Sequence, residues 1–486
     1  MERLTPLCFL LSFCLLTTAC TPNDPCQIDK TSFSTCLKLA NQGNAEAQYK
    51  TGKLYETGLG IEQNYQEAFK WYTHAANQNN VNGQASLGEF YKEGLGVEQN
   101  YQAAIEWYKK AAKQDNADAQ AKLDELYKAD AERHTQLANQ GDIVAQNDLG
   151  DLYFYGLGVT QHYEKAAEWY TSSAEQGNSD AQTNLGELYR QGLGVTQDYK
   201  EALKWYTKAA KQGDIDAQAK ISYLYSEGLG VTQDYNKAVK WARQAAEQGD
   251  YIAQYNMGYF SLNGLGVLQD NEEAIKWYTL AANQGDVDAQ LELGAFYYNG
   301  TDGIENYTES AKWYTKAAEQ GDADAQSMLG HSYQVGKGVK QNYKEAITWY
   351  TRAAEQGDVD AQSNLGYIYS EGLGVGKNST KAIEWFMKAA DQGSPTAANN
   401  IGAHYLDGDG VKKDSKKAIE WFTKSAELGE ELGEELAQRN LGMIYEQGKV
   451  VPQDYEKALE WYQKAADNGA TDVELKVKEL TKKLNK

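Results

Sequence analysis

An all-α solenoid of antiparallel helix pairs is the fold class predicted for this chain of 486 residues. Three observations carry the prediction. First, the eleven tryptophans stand at Trp71 and Trp107, then from Trp169 to Trp421 in steps of 36, and at Trp461, so eight of the ten gaps are 36 residues. A fixed period of that size marks stacked units, each too small to bury its own apolar face. Second, glycine is frequent, at 45, and proline scarce, at 5, as expected of short helices with regularly punctuated ends. Third, apolar residues between the glycines recur every three or four positions, the spacing of one helix face.

Taken in chain order, residues 1–19 read as an export leader. Arg3 precedes an apolar run, Leu7 to Leu16, too short to span a bilayer. Small residues Thr17 and Ala19 suit cleavage after Ala19, which makes Cys20 the first residue of the exported chain. The stretch resembles a bacterial lipoprotein box, although Leu16 lies four residues before the cysteine and not three. The resemblance implies lipid modification of Cys20, and Thr21 after it implies sorting to the outer membrane. The expected location is therefore that of an outer-membrane lipoprotein, periplasmic or surface-facing. Residues 20–30, with Pro22 and Pro25, form a stalk. Cys8 and Cys14 leave with the leader, so Cys26 and Cys36 remain in an oxidising compartment as a candidate disulfide. Residues 31–43 read as a helix that caps the start of the array.

About twelve repeats fill 44–469. The unit from Asp358 to Gly393 shows the logic. Asp358 caps the first helix, helix A. Ala361, Leu365 and Tyr369 form its apolar face. Gly366 sits inside that helix at a cost of about 1 kcal/mol relative to alanine, which implies close approach of a neighbour. Gly372-Leu-Gly-Val375 forms the turn. Asn378 caps helix B, a slot that is Asp or Asn in ten of eleven tryptophan-bearing units, His162 being the exception. Ala382, Trp385, Phe386, Ala389 and Ala390 follow at helical spacing, and each tryptophan is expected on the inner face of helix B. Two repeats break the rule. The unit at 116–141 is 26 residues long and has lost its inter-helix turn. The unit at 430–469 is extended by a four-residue duplication in Gly429-Glu-Glu-Leu-Gly-Glu-Glu-Leu436. Residues 470–486 read as a basic capping helix.

The motif Ala-x-Ala-Gln-x-x-Leu-Gly-x-x-Tyr-x-x-Gly-x-Gly-Val, then Asp-Tyr-x-x-Ala-x-x-Trp-Tyr-x-x-Ala-Ala-x-Gln-Gly, resembles the Sel-one-like repeat family, a branch of the tetratricopeptide-like solenoids. The resemblance implies a right-handed superhelical stack and an adaptor's work, with a protein partner from the envelope or a host. Some cysteine-rich relatives are described as β-lactamase-like hydrolases. The repeats here contain no cysteine, so that activity is not carried over, and no enzyme is expected. A purely structural spacer is the other alternative.

The remaining chemistry agrees with a binding protein. A net charge of −22 repels phosphate backbones and anionic lipid. Neither nucleic acid nor membrane is an expected partner, except through the lipid anchor, and a monomer is expected. The five histidines share no metal-ligand spacing, Asp407-Gly-Asp409 lacks the other ligands of a calcium loop, and no cofactor motif is present. Of 35 tyrosines, 27 fall in repeat-motif slots. One free slot, just after the helix A glycine, reads Lys53, Glu89, Glu125, Asp151 and Glu187 in repeats 1 to 5. From repeat 6 it reads Tyr223, Tyr259, Ala295, His331, Tyr367, Ala403 and Met443. Tyr251, Tyr255 and Tyr259 share one helix face. Tyr223, Tyr251, Tyr255, Tyr259, His331 and Tyr367 are thus the candidate partner-binding residues, expected as an aromatic strip on a concave helix A surface.

Overall fold

The computed structural model describes residues 26–485 apart from residues 301, 302, 304, 429 and 430. The expected leader, Cys20 and the first part of the stalk lie outside the described residues. Among the described residues there are 25 α-helices and no strand. None of these helices is long and apolar enough to cross a membrane. By internal contacts the chain divides into two compact units, residues 1–209 and 210–486.

Local sequence explains each regular pair. In repeat 10, helix A is Val359–Glu371 and helix B is Ser379–Asp391. The Asp358 carboxylate accepts from the Ala361 amide at 2.6 Å, and Asn378 accepts from Lys381 at 3.0 Å. These caps satisfy amides that the first helical turn leaves open. Asp198 does the same for Lys200 and Glu201 in repeat 5, and even His162 caps helix B of repeat 4 through its ring nitrogen. Helix A ends at Gly372, whose φ of 73° belongs to the left-handed region that a side chain disfavours. Leu373 and Val375 of the turn then pack on the buried cluster of the preceding helix B, around Ala346 and Tyr350.

The helix A glycine and the residue after each tryptophan form one steric lock. A Cβ on Gly330 would meet the Tyr350 ring at 2.8 Å, and one on Gly366 would meet Phe386 at 2.5 Å. The ring lies flat on bare helix backbone. This gives the tryptophan a smaller share of the core than the sequence suggests. Trp205, Trp277, Trp313 and Trp385 are buried and the other seven only partly so, whereas Tyr72, Tyr108, Tyr206, Tyr278 and Tyr350 are among the largest fully buried side chains. The partly buried tryptophans lie at the edge, where cations three residues on stack over them, as Lys110 does on Trp107 at 4.0 Å and Lys424 on Trp421 at 4.7 Å.

A polar ladder ties repeat to repeat. Gln326, only 4% exposed, donates from Nε2 to the Ala318 carbonyl of repeat 8 at 3.1 Å. Its Oε1 accepts from Gln356, at the end of its own repeat, at 2.9 Å. Gln48, Gln146, Gln254 and Gln362 repeat both bonds. The Ala-Gln and Gln-Gly dipeptides of the motif are the two ends of this ladder.

The irregular repeats resolve simply. The shortened repeat 3 is one continuous helix, Ala117–Asn139, of 23 residues. With no turn to fold back on, the helix A half runs directly into the helix B half, and Tyr127 serves both. Asp124 stands at the position that Gly330 and Gly366 hold in repeats 9 and 10. In repeat 12 the duplication adds one turn to helix A, which spans Glu431–Gln447 and is 17 residues long. At the start of the chain, Cys26 and Cys36 form a disulfide that fastens the Phe33–Asn41 helix. At the other end, Val473 and Leu480 cover the last repeat.

Candidate functional site

The free slot of helix A has a different meaning in the two halves of the chain. In repeats 2, 4 and 5 the buried tyrosine ring of helix B crosses the helix A glycine, and its hydroxyl emerges beside the slot. Tyr108 donates to Glu89 at 2.6 Å, Tyr170 to Asp151 at 2.6 Å and Tyr206 to Glu187 at 2.7 Å. The slot carboxylates are therefore hydrogen-bond partners of the core. Burial pushes Glu89 up, but donation from Lys122 and Tyr108 outweighs it and holds the carboxyl below its ordinary value. Asp151 has no such cation, and burial raises it.

From repeat 6 the slot no longer supplies a carboxylate. Tyr223, Tyr259 and Tyr367 occupy it and are 46%, 45% and 46% exposed, and Tyr251, at the start of helix A in repeat 7, is 45% exposed. These four are available to a partner. The other two candidates are less exposed. Tyr255 is half-buried, with its ring 5.5 Å from Tyr278. Burial, then the charge of Glu292, pushes its phenol up to about 12. His331 is also half-buried, against Tyr298 at 6.2 Å. Burial, then Lys337, holds its ring below its ordinary value. Of the six residues expected as an aromatic strip, four are exposed phenols, and Tyr255 and His331 are half-buried against neighbouring rings. Spacing placed Tyr255 on the same face as Tyr251 and Tyr259 but could not show that the Tyr278 ring reaches that face.

The surroundings are acidic. Glu292 beside Tyr255 is raised by burial and by Asp288, and Asp324 by burial and by Asp322, Asp358 and Asp360. The Tyr278 hydroxyl is buried with no hydrogen-bond partner, since Tyr259 stands where earlier repeats have a carboxylate.

Sequence reasoning missed one polar constellation. In a cleft of about 330 Å³ between repeats 10 and 11, His404 Nδ1 donates to the Asp409 carbonyl at 2.9 Å. That tautomer leaves Nε2 to accept from the Ser370 hydroxyl at 3.2 Å. Ser370 and His404 are 34 residues apart, so only the stacking of repeats brings them together. The Asp409 carboxylate is held by Lys377 at 2.9 Å. Among the described residues, no three His, Cys, Asp or Glu side chains are placed to hold a metal.

With this geometry in place, comparison with known proteins is informative. The Sel1 repeat family profile matches eleven segments between residues 45 and 469, omitting only the fused repeat at 117–142 and a few residues beside repeats 7 and 12. A structure described as a protective antigen present in uropathogenic Escherichia coli strains displaying an SLR fold is 36% identical. The match covers 93% of this chain and 90% of that one, with a TM-score of 0.64. A Sel1 repeat protein from Oxalobacter formigenes is 32% identical over 64% of this chain and 90% of its own, with a TM-score of 0.51. No match was found among curated proteins.

Proposed function

The chain belongs to the Sel1 repeat family, whose members are protein-interaction scaffolds, and from that premise we propose a non-enzymatic binding scaffold of the bacterial envelope that takes an envelope or host protein on the helix A surface of repeats 6 to 10. The observation that carries this reading is the exposure of Tyr223, Tyr251, Tyr259 and Tyr367 in positions the repeat does not need for its own core. Tyrosine buries a large, stiff, amphipathic ring on binding at little entropic cost. The similar Escherichia coli chain is described as a protective antigen, which supports an exported, accessible array. Lipid modification of Cys20 would hold it at the outer membrane, and the surrounding acidic groups would steer a basic partner.

Affinity capture from detergent-solubilised envelope and from host secretions tests the binding face. The triple variant Tyr223→Ala, Tyr259→Ala, Tyr367→Ala should lose a partner that the wild type retains, with unchanged melting. Equal capture by both proteins would refute it. The anchor is tested by fatty-acid labelling of cells, where Cys20→Ala should lose the label, and equal label would end that part of the proposal.

One observation favours a second reading, a hydrolase. The Ser370–His404 pair has the contact that a base makes with a nucleophile. A fluorophosphonate probe that labels wild type but not Ser370→Ala would establish it. No labelling would leave the pair as a hydrogen bond between repeats.

A further inference from the structure

The fused helix of repeat 3 leaves a place in the stack unfilled. In regular repeats the Leu-Gly-Val turn covers the beginning of the preceding helix B. Leu95 packs on the cluster around Ala68 and Tyr72, and Leu193 and Val195 on that around Ala166 and Tyr170. The second glycine of the turn sits directly on the backbone of the first helix B residue, Gly96 on Tyr65, Gly194 on Tyr163 and Gly266 on Tyr235, so close that a Cβ would collide with it. Repeat 3 is ten residues short of the period, and the residues it lacks include this turn. The start of helix B in repeat 2, Tyr101–Ala112, therefore lacks the turn that covers it elsewhere, although Leu123 and Leu126 of the fused helix pack on its Ala104 and Ile105.

The consequence is visible at Tyr101. It is 53% exposed, against 36% for Tyr65 in the same position of repeat 1, and the equivalent Tyr163, Tyr199 and Tyr235 are all partly buried. Beside it a cleft of about 590 Å³ opens between this helix and the middle of the fused one. Tyr101, Ile105, Leu126 and Ala129 are its apolar lining, beside the polar Asn100 and Gln102 and the charged Lys92, Glu125, Asp130 and Arg133. Arg133 is paired with Asp130 at 2.9 Å. The volume lies within the range of sites that hold small ligands or short peptide segments.

We propose that this cleft is a peptide-binding site, and that its ligand is a glycine-containing aliphatic turn of another polypeptide, with Leu-Gly-Val as the prototype. The same surface, the first turn of helix B, accepts that turn from the adjoining repeat elsewhere in the chain. Its demands are legible there. An aliphatic side chain enters between two helices, and a glycine lets backbone approach backbone. The missing element is supplied from outside, as a lost strand is supplied in strand addition. This site lies in the first unit and does not depend on the tyrosine face of the second.

The probe is a fluorescein-labelled peptide of residues 93–100, Glu-Gly-Leu-Gly-Val-Glu-Gln-Asn, titrated by anisotropy with the full chain. Saturable binding with a Kd below about 1 mM is expected. Ala129 is exposed on the fused helix, so Ala129→Trp should fill the cleft without disturbing the core, and lower the affinity at least tenfold with unchanged circular dichroism. A peptide with aspartate in place of its leucine should lose as much. Absence of binding up to 1 mM (roughly the weakest affinity worth calling specific), equal affinity for the aspartate peptide, or full binding by Ala129→Trp would overturn the proposal. Concentration-dependent dimerisation that the peptide does not compete would overturn it too, by assigning the cleft to a second copy.

Discussion

Replacing Gln326 by methionine keeps side-chain length and apolar bulk but breaks the ladder between repeats 8 and 9. Two hydrogen bonds are lost, Gln326 Nε2 to the Ala318 carbonyl at 3.1 Å and Gln356 Nε2 to Gln326 Oε1 at 2.9 Å. The groups left behind are not wholly orphaned. The Ala318 carbonyl still accepts from the Gly321 amide at 3.1 Å, and Gln356 still donates to the Gly321 carbonyl at 2.9 Å. The cost is therefore that of two net hydrogen bonds, about 2 kcal/mol, and not the larger penalty of burying unpaired polar atoms. Gln356→Ala removes both bonds of the Gln356 amide, to Gln326 Oε1 and to the Gly321 carbonyl, and strands Gln326 Oε1, at about 2 kcal/mol, and the double variant should show coupling of about 1 kcal/mol. Because each repeat touches only its neighbours, faster amide exchange should be confined to repeats 8 to 10. A Gln326→Met chain within about 0.5 kcal/mol of wild type, the ordinary scatter of surface changes, or exchange changes spread evenly over the second unit, would refute this account of how repeats are joined.

The glycine–ring lock makes a prediction where it is broken. Repeat 6 has Ser222 for glycine and Ala242 for tyrosine. Ala242→Tyr alone should overpack and lose about 1–3 kcal/mol, and adding Ser222→Gly should restore most of it, as read by urea unfolding. Trp313 is 5% exposed and packs on the Ala274–Tyr278 cluster, so Trp313→Ala should cost about 3–5 kcal/mol locally. Trp349, only partly buried beneath Arg352, should cost less on the same substitution, and equal losses would contradict the edge placement. His331 is held below its ordinary value by burial and Lys337, so its neutral form is the one favoured by folding. Its contribution is full above the unfolded value of about 6.5 and is lost as pH falls below it. Amide protection in repeat 9, corrected for the intrinsic exchange rate at each pH, should therefore fall on acidification in wild type and less in His331→Gln. Glu292 shifts the opposite way, so Glu292→Gln should stabilise repeat 8 at pH 7 and have little effect at pH 3.

What the sequence reveals and what it hides divide along one physical line. Period, turn glycines and caps are properties of a single helix or turn, and local chemistry dictates them; Asp358, Asn378 and Gly372 do in the structure what their residue types imply. The Gln ladder, the ring on the glycine and the Ser370–His404 pair each join residues 8 to 34 apart across two helices. Their reality depends on the direction a side chain takes between neighbours, which no periodicity encodes. Gly366 showed that something must come close, but not that it was Phe386. The tyrosine slot shows the same limit. Glu89 and Tyr259 hold equivalent positions, yet one accepts from a core phenol and the other stands in solvent above a phenol that has lost its acceptor.

An array of this kind separates stability from function in an unusual way. Every repeat must present the same alanines, glycine and glutamine to its neighbours, so selection for stacking makes repeats alike. A repeat that departs from the rule has either relaxed a partner residue, as Ser222 has with Ala242, or given up part of the lock. Repeat 3 has lost its turn and opened Tyr101 to solvent, and repeat 7 has exchanged the acceptor of Tyr278 for an exposed ring. Neither change improves packing within the chain, since one uncovers apolar surface and the other leaves a buried hydroxyl unpaired, at a cost of about 1–3 kcal/mol for such a group. Departures that cost stability and compensate nothing internally are where an external partner is to be sought. That places the two searches, with the turn peptide at Tyr101 and with protein partners at Tyr259, on the same physical footing while keeping their tests independent.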